Sequence, residues 1–156
     1  MRSPLTLLVA FLVCFTAARL GAAATVPHLD WYATLSKPAF TPPNWAFGVA
    51  WTILYALMAV ALWRVIRASG GRIASNRALV PFVAQLALNV GWSFAFFGTQ
   101  NPSTGFVVIC LLIPTIVWTI KTFRLRDKVA AWMLAPYLVW VAYAAILNAA
   151  IWRLNA

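Results

Sequence analysis

Five long hydrophobic stretches divide the chain, and short polar segments separate them. The stretches cover about residues 5–26, 45–66, 78–97, 104–122 and 129–151. Each is close to the ~20 residues that an α-helix needs to cross the ~30 Å hydrocarbon core of a bilayer. Because backbone polar groups must be paired inside lipid, helices are the expected structure of these stretches. The pattern predicts an all-α integral membrane protein, with one five-helix transmembrane domain over residues 1–156.

The connecting segments support this division of the chain. Pro42 and Pro43 close an extended first loop and suit the start of the second helix, because proline lacks the N–H group that a helix interior needs. Gly70 and Gly71 interrupt the chain after the second helix. A polar turn at 98–103 and a charged segment at 124–128 separate the last three helices.

The composition shows that lipid, rather than water, surrounds much of the protein. Hydrophobic residues make up 64% of the chain and charged residues 9%, whereas an average soluble domain has about 25% charged residues. The chain has 12 Lys and Arg residues and 2 acidic residues. The cations cluster between the hydrophobic stretches, as the positive-inside rule describes, so we predict membrane lipid and not nucleic acid as the surrounding partner.

The distribution of cations also predicts the topology. Most of them lie at the N-terminus, in the second loop or in the fourth loop, namely Arg2, Arg64, Arg67, Arg72, Arg77, Lys121, Arg124, Arg126 and Lys128. Lys37, Arg153 and Arg19 belong to the opposite side. We therefore expect a cytoplasmic N-terminus and an outside C-terminus. A helical bundle favours the bacterial inner membrane, since proteins of the outer membrane are β-barrels.

The first stretch has two interpretations. Arg2, an apolar core and the small residues before position 25 also fit a signal peptide that is removed with residues 1–24. Arg19 shortens the uninterrupted apolar run and favours that interpretation. The alternative is a retained first helix whose Arg19 reaches outward to the interface.

Aromatic and amide side chains recur at helical spacing on three of the predicted helices. Gln85, Asn89 and Ser93 follow one another at four-residue steps, beside Trp92. With a rise of ~1.5 Å per residue, three helices bring such groups to a similar depth in the outer leaflet. The residues concerned are Trp51, Tyr55, Asn89, Trp92, Trp140, Ala144 and Asn148. They fit interhelical hydrogen bonding and aromatic core packing, or the lining of a pocket for a flat apolar ligand.

Residues for acid–base or metal chemistry are scarce. His28 is the only histidine, and Asp30 and Asp127 are the only acids. These cannot form a protein-only metal site or a pair of catalytic carboxylates. Cys14 and Cys110 lie inside apolar runs and do not suggest a disulfide framework. We therefore predict no metal site and no covalent cofactor.

Several separated motifs, in the same order, resemble those of the translocator protein family, whose bacterial members are the tryptophan-rich sensory proteins and whose animal members are the peripheral-type benzodiazepine receptors. The resemblance covers about residues 31–155. It is carried by Trp31-Tyr32, Leu35-Ser36-Lys37-Pro38, Pro42-Pro43-Asn44-Trp45, Trp51, Leu54-Tyr55, Gln85 to Asn89, Trp92, Phe96-Phe97-Gly98, Pro136 to Trp140 and Leu147-Asn148.

The resemblance implies a five-helix protein, often a homodimer, with a pocket for porphyrins, haem and related apolar ligands such as synthetic isoquinolines and benzodiazepines. Transferred by motif, the lining would include Trp51, Asn89, Trp92, Trp140, Ala144 and Asn148. The loop over the pocket would hold Trp31, Tyr32, Lys37, Pro42, Pro43 and Trp45. The resemblance also favours a retained first helix. Ala149 stands where animal members have the tyrosine of a cholesterol-recognition motif, so sterol binding through that motif is not expected.

The main functional hypothesis is a membrane receptor or translocator for tetrapyrroles such as protoporphyrin IX and haem, with a sensory or regulatory role in tetrapyrrole or stress response. An alternative is light- and oxygen-dependent porphyrin degradation, in which Trp51 and Trp140 would take part in radical chemistry. A third hypothesis is a regulatory protein that signals bound ligand to another membrane protein.

Overall fold

The computed structural model describes residues 3–71 and 77–156 of the chain. Five helical runs in it are long and apolar enough to cross a membrane, and no strand occurs within these two ranges. The runs are Pro4–Thr34, Asn44–Ala68, Leu79–Gly98, Pro102–Arg124 and Lys128–Leu154. They confirm the predicted fold class, an all-α integral membrane protein with five spanning helices. Arg2 and Arg72, two of the predicted topology-setting cations, lie outside the described residues.

The spans are built from seven α-helices. The first span joins α1 (Ser3–Thr25), a 3₁₀ turn (Val26–His28) and the short α2 (Leu29–Thr34). The second is α3 (Asn44–Ala68), and the third is α4 (Leu79–Ser93), which continues into a π-helical turn (Phe94–Gly98). The fourth is α5 (Pro102–Arg124), and the fifth joins α6 (Lys128–Met133) to α7 (Ala135–Leu154).

Local chemistry explains where several helices begin. The Asn101 side chain accepts a hydrogen bond from the Ser103 N–H at 3.0 Å and caps α5. Asp127 caps α6 in the same way, with its carboxylate 3.0 Å from the Ala130 N–H. The fifth span is interrupted at Leu134 because Pro136, in the first turn of α7, has no N–H to continue the ladder from α6.

The helices form a closed ring in which chain order and spatial order differ. α1 packs against α3 and α4, α4 against α5, α5 against α6 and α7, and α3 against α6. Small buried side chains on α1 and α3, such as Ala10, Ala17, Ala59 and Ala61, permit close approach of these two helices.

Two sets of contacts identify the ends of the bundle. Ser36 and Asn155 exchange two hydrogen bonds of 2.9 Å, which join the first loop to the C-terminal residues. We call this the loop end. At the opposite end, Arg64 of α3 forms an ion pair with Asp127 at 2.9 Å, and we call it the basic end because most of the cations lie there.

Candidate functional site

A cavity of about 460 Å³ lies inside the loop end of the bundle. Residues from α1, α2, α3, α4 with its π turn, and α7 form its wall. Most of the wall is apolar or aromatic, with a few hydroxyl, amide and indole groups. This size and lining are typical of a small-molecule site, which usually combines an apolar cleft of about 300–1,000 Å³ with few polar groups.

The wall is buried on one side and open on the other. The wall residues from α4, its π turn and α7 are buried or half-buried. The exposed wall residues all belong to the first span and to α3, namely Arg19, Val26, Leu29, Asn44, Gly48 and Thr52. The cavity therefore opens sideways, between the first span and α3, toward the surface that faces lipid.

A chain of hydrogen bonds joins the floor of the cavity to the core. The Tyr55 hydroxyl donates to Asn89 Oδ1, Asn89 Nδ2 donates to the Tyr137 hydroxyl, and the Tyr137 hydroxyl donates to Gln85 Oε1, each at 2.8 Å. Gln85, Asn89, Tyr55 and Tyr137 are all buried. Buried polar groups are unfavourable unless they are bonded, so this chain satisfies the amide stripe of α4 and links α3, α4 and α7.

A second set of hydrogen bonds fixes an indole in the wall. Trp92 Nε1 donates to Asn148 Oδ1 at 3.1 Å, and Asn148 Nδ2 donates to the Pro102 carbonyl at 2.7 Å. The Trp92 ring also packs against Phe96 and Phe97, with centroids 5.7 and 6.1 Å away. The orientation of this indole is therefore set by α5, α7 and the π turn together.

The structure brings most of the expected pocket residues to the cavity. Trp51 and Tyr55 of α3, Asn89 and Trp92 of α4, and Ala144 and Asn148 of α7 all line it. The sequence left two roles open for the amides, interhelical hydrogen bonding and pocket lining. Asn89 and Asn148 have both roles, because each forms interhelical hydrogen bonds and each lines the wall.

Trp140 lies in a different place from the other expected pocket residues. Its ring packs edge-on against Phe47 at 5.9 Å, and Phe47, not Trp140, lines the cavity. Trp140 instead borders a shallow surface groove with Pro42 and Tyr143. Trp140 and Ala144 are one turn apart and share a face of α7, so the Phe47 ring of α3, which packs on Trp140, accounts for the difference between them.

The loop residues divide between the cavity and the packing around it. Tyr32 lines the cavity, and Trp31 packs edge-on against Phe96 at 5.7 Å. Lys37 Nζ donates to the Tyr32 carbonyl at 2.7 Å and the Leu35 carbonyl at 3.0 Å, which closes the C-terminal end of α2. Of the others, Pro42 borders the surface groove, Pro43 precedes α3, and Trp45 is 71% exposed.

Sequence reasoning pointed to the first span only through Arg19 and placed none of its other helix residues in the pocket. Phe15, Arg19 and Gly21 of α1 line the cavity, but α1 contains no amide side chain and no tryptophan that would have marked a pocket face. Arg19 was the available indication, because a cation inside an apolar helix requires a reason. Phe47 and Phe97 were also missed, since phenylalanine in a membrane helix does not distinguish core packing from pocket lining.

The site suits binding better than acid–base chemistry. No group of three or more His, Cys, Asp or Glu side chains that could hold a metal ion occurs among residues 3–71 and 77–156. Arg19 is the one charged residue in the cavity wall formed by those residues. The fold and the cavity therefore define a class of protein, a polytopic membrane protein with an aromatic-lined cavity that opens toward lipid.

Comparison with known proteins identifies the family within this class. The profile of the TspO/MBR family matches residues 7–153, and the chain belongs to that family. It is 41% identical over 152 residues to the tryptophan-rich protein TspO of Chlorobaculum tepidum, covering 97% of this chain and 96% of the relative.

Two further relatives agree with this assignment. The tryptophan-rich protein TspO of Archaeoglobus fulgidus is 45% identical over 126 residues, which cover 81% of this chain and 80% of that protein. The human translocator protein is 35% identical over 130 residues, which cover 81% of this chain and 76% of that protein. The similarity therefore extends over most of each chain, and membership of a membrane sensory and translocator family follows.

Proposed function

We propose that this protein is a membrane receptor or translocator that binds tetrapyrroles, such as protoporphyrin IX and haem, in the cavity at its loop end. The observation that carries the proposal is the lateral, aromatic-lined cavity of about 460 Å³. Relatives named translocator protein and tryptophan-rich protein TspO support a sensory or translocating role. In this role, binding would serve a tetrapyrrole or stress response.

The chemistry of the wall supports a large, flat, apolar ligand. The Trp51 and Tyr55 rings lie 5.7 Å apart on α3, and Trp92 faces the same cavity from α4. Aromatic faces stack favourably on conjugated rings. A lateral opening toward lipid suits a ligand that partitions into the bilayer before it enters the protein.

Replacement of Trp51 tests the proposal directly. We expect Trp51→Leu to weaken protoporphyrin IX binding about tenfold, because a stacking contact and part of the apolar wall are lost. The measurement is a titration in nonionic detergent that follows the shift of the porphyrin absorption band, which does not depend on protein fluorescence.

Trp132→Leu is the matched control for this titration. Trp132 is 77% exposed on α6 at the basic end, so its replacement should leave binding unchanged. Equal affinity of the wild type and Trp51→Leu for the porphyrin, with both proteins folded, would show that the cavity is not the porphyrin site.

Light- and oxygen-dependent porphyrin degradation is the second candidate function. It is favoured by Trp51, whose indole stands in the cavity wall where a bound porphyrin would lie. Trp140, the other tryptophan that this chemistry would use, lies behind Phe47. Binding therefore has the stronger support, and comparison of tetrapyrrole products from illuminated and dark samples separates binding from degradation.

We also propose an assembly and a location for the protein. The cations of the basic end favour a cytoplasmic basic end and an outside loop end in the bacterial inner membrane. The exposed apolar side chains on all five spans require lipid or a second copy as cover. A homodimer is the assembly that the family resemblance favours.

A further inference from the structure

We infer that Arg19 is the anion-binding residue of the cavity, so that the ligand is an apolar ring system with a carboxylate at one edge. This inference rests on the proposed function, because it specifies the chemistry of the ligand in the same cavity. It is carried by three observations: the depth of Arg19, the absence of a partner for it among the described residues, and its position at the cavity opening.

Arg19 lies at an unfavourable depth for a cation. It stands at the middle of the helical run Pro4–Thr34, seven residues before Val26, which lines the cavity nearer the loop end. At a rise of ~1.5 Å per residue, this separation is about 10 Å along the helix. Ionisable side chains at such positions are expensive in lipid and usually have a partner or a functional role.

The described part of the chain offers no acidic partner for Arg19. Its two acids are Asp30 and Asp127, and the single ion pair within residues 3–71 and 77–156 joins Asp127 to Arg64 at the opposite end of the bundle. The wall itself contributes aromatic rings, amides and hydroxyls, but no carboxylate. The guanidinium therefore keeps all five of its donors available for an oxyanion that enters from outside the protein.

The position of Arg19 fits an edge contact with a ligand. Arg19 is exposed on the side of α1 that faces the lateral opening, while Phe15 and Ala22, about one turn away on either side, line the same wall. A flat ligand stacked against Trp51 and Trp92 would place its far edge near this opening. Arginine binds carboxylates through two parallel N–H donors, which would fix the orientation of the ring system.

A pair of porphyrins tests the inference. Protoporphyrin IX has two ionised propionates, and its dimethyl ester has the same ring without the charges. In nonionic detergent without anionic lipid, we expect the wild type to bind the acid about tenfold more tightly than the ester, as one partly screened charge-assisted hydrogen bond would give. Arg19→Leu should lose this preference, and Arg19→Lys should retain most of it.

Arg153→Leu is the matched control. Arg153 is exposed near the end of α7, at the same loop end, and does not line the cavity. The Arg153→Leu variant therefore measures how much a surface cation attracts an anionic porphyrin without a cavity contact. Its preference for the acid should equal that of the wild type. Leucine suits an apolar helix, so folding of Arg19→Leu, checked by size-exclusion chromatography, should be unaffected.

The possible outcomes separate the inference from the proposed function. Equal binding of acid and ester by the wild type, or a preference that survives in Arg19→Leu, would overturn the role of Arg19 while leaving porphyrin binding intact. A second test adds short-chain phosphatidylglycerol to the porphyrin complex. If the lipid displaces protoporphyrin IX from the wild type but not from Arg19→Leu, Arg19 binds a lipid phosphate, and the inference of a carboxylate ligand is overturned. Failure of both porphyrins to bind would overturn the proposed function, and this inference with it.

Discussion

Individual polar residues in this bundle hold the helices together and shape the cavity at the same time. Asn148 accepts from the Trp92 indole and donates to the Pro102 carbonyl, so one amide joins α4, α5 and α7 while it lines the wall. Asn89 does the same between Tyr55 and Tyr137. These bonds use most of the hydrogen-bonding groups of the Asn89 and Asn148 side chains. We therefore expect the aromatic rings and Arg19 to make most of the contacts with a ligand.

Gly105 of α5 is the residue on which this arrangement depends most closely. A Cβ at this position would lie 2.8 Å from Phe96 Cβ and 3.0 Å from Asn148 Oδ1. We expect Gly105→Ala to destabilise the protein by about 1–3 kcal/mol, as overpacking does. It should also weaken porphyrin binding, because Phe96 and Asn148 both line the cavity. Thermal unfolding in detergent and the porphyrin titration measure the two effects.

Gly91→Ala is the matched control for this substitution. Gly91 lies inside α4, and a Cβ there would meet nothing within 4 Å. This variant should be as stable as the wild type or slightly more stable, because alanine favours a helix more than glycine does. Wild-type stability and binding in Gly105→Ala would show that α5 can move away from the π turn without cost.

At the level of the helices, hydropathy predicted the five spanning segments. Local chemistry determined the breaks and turns within them. The five spans begin and end within a few residues of the predicted stretches, except that the first helical run continues through α2 to Thr34. α2 was missed because Pro27 before it is typical of a loop. The break at Leu134 and the π turn at Phe94–Gly98 were missed because neither changes the hydrophobic pattern.

Asp127 holds the connection between α5 and α6. Its carboxylate caps α6 through the Ala130 N–H and pairs with Arg64 across the bundle. We expect Asp127→Ala to lower stability by about 1–2 kcal/mol, the sum of a lost cap and a weak ion pair. Asp30→Ala, which removes the exposed acid of α2, should have little effect in the same thermal unfolding assay.

The contribution of Asp127 should also depend on pH. Partial burial raises the pKa of the carboxyl, but the Ala130 N–H and the Arg64 guanidinium outweigh this effect, so the pKa lies below its ordinary value of 3.8. An acid with a lowered pKa in the folded state stabilises the fold above its ordinary pKa and loses that stabilisation as the pH falls through the lowered value. The wild type should therefore lose stability below about pH 4 more steeply than Asp127→Asn, and parallel curves would contradict this account.

For the whole molecule, the sequence predicted the walls of the cavity better than its opening. Amides and tryptophans identified α3, α4 and α7 as helices that form the wall. Polar or amphipathic side chains deep in a membrane usually have a structural or functional role, so their positions were informative. The opening lies where wall residues of the first span and α3 are exposed, and the packing of these two helices depends on small residues, such as Ala17 and Ala61, that carry no functional mark. The position of Trp140 behind Phe47 likewise depends on a side chain of another helix, which spacing along α7 does not determine.

The orientation of the bundle in the membrane is the property of the whole molecule that the charges predict. An odd number of spans places the two termini on opposite sides, and the hydrogen bonds between Ser36 and Asn155 keep the C-terminus beside the first loop. The cations of the basic end should hold that end in the cytoplasm. A C-terminal alkaline phosphatase fusion should then be active, and a C-terminal green fluorescent protein fusion should be dark. Fusions after Arg126, in the turn before α6, should give the reverse pattern. An active phosphatase at Arg126 and an inactive one at the C-terminus would mean that the cavity opens near the cytoplasmic leaflet, so that its ligand would come from inside the cell.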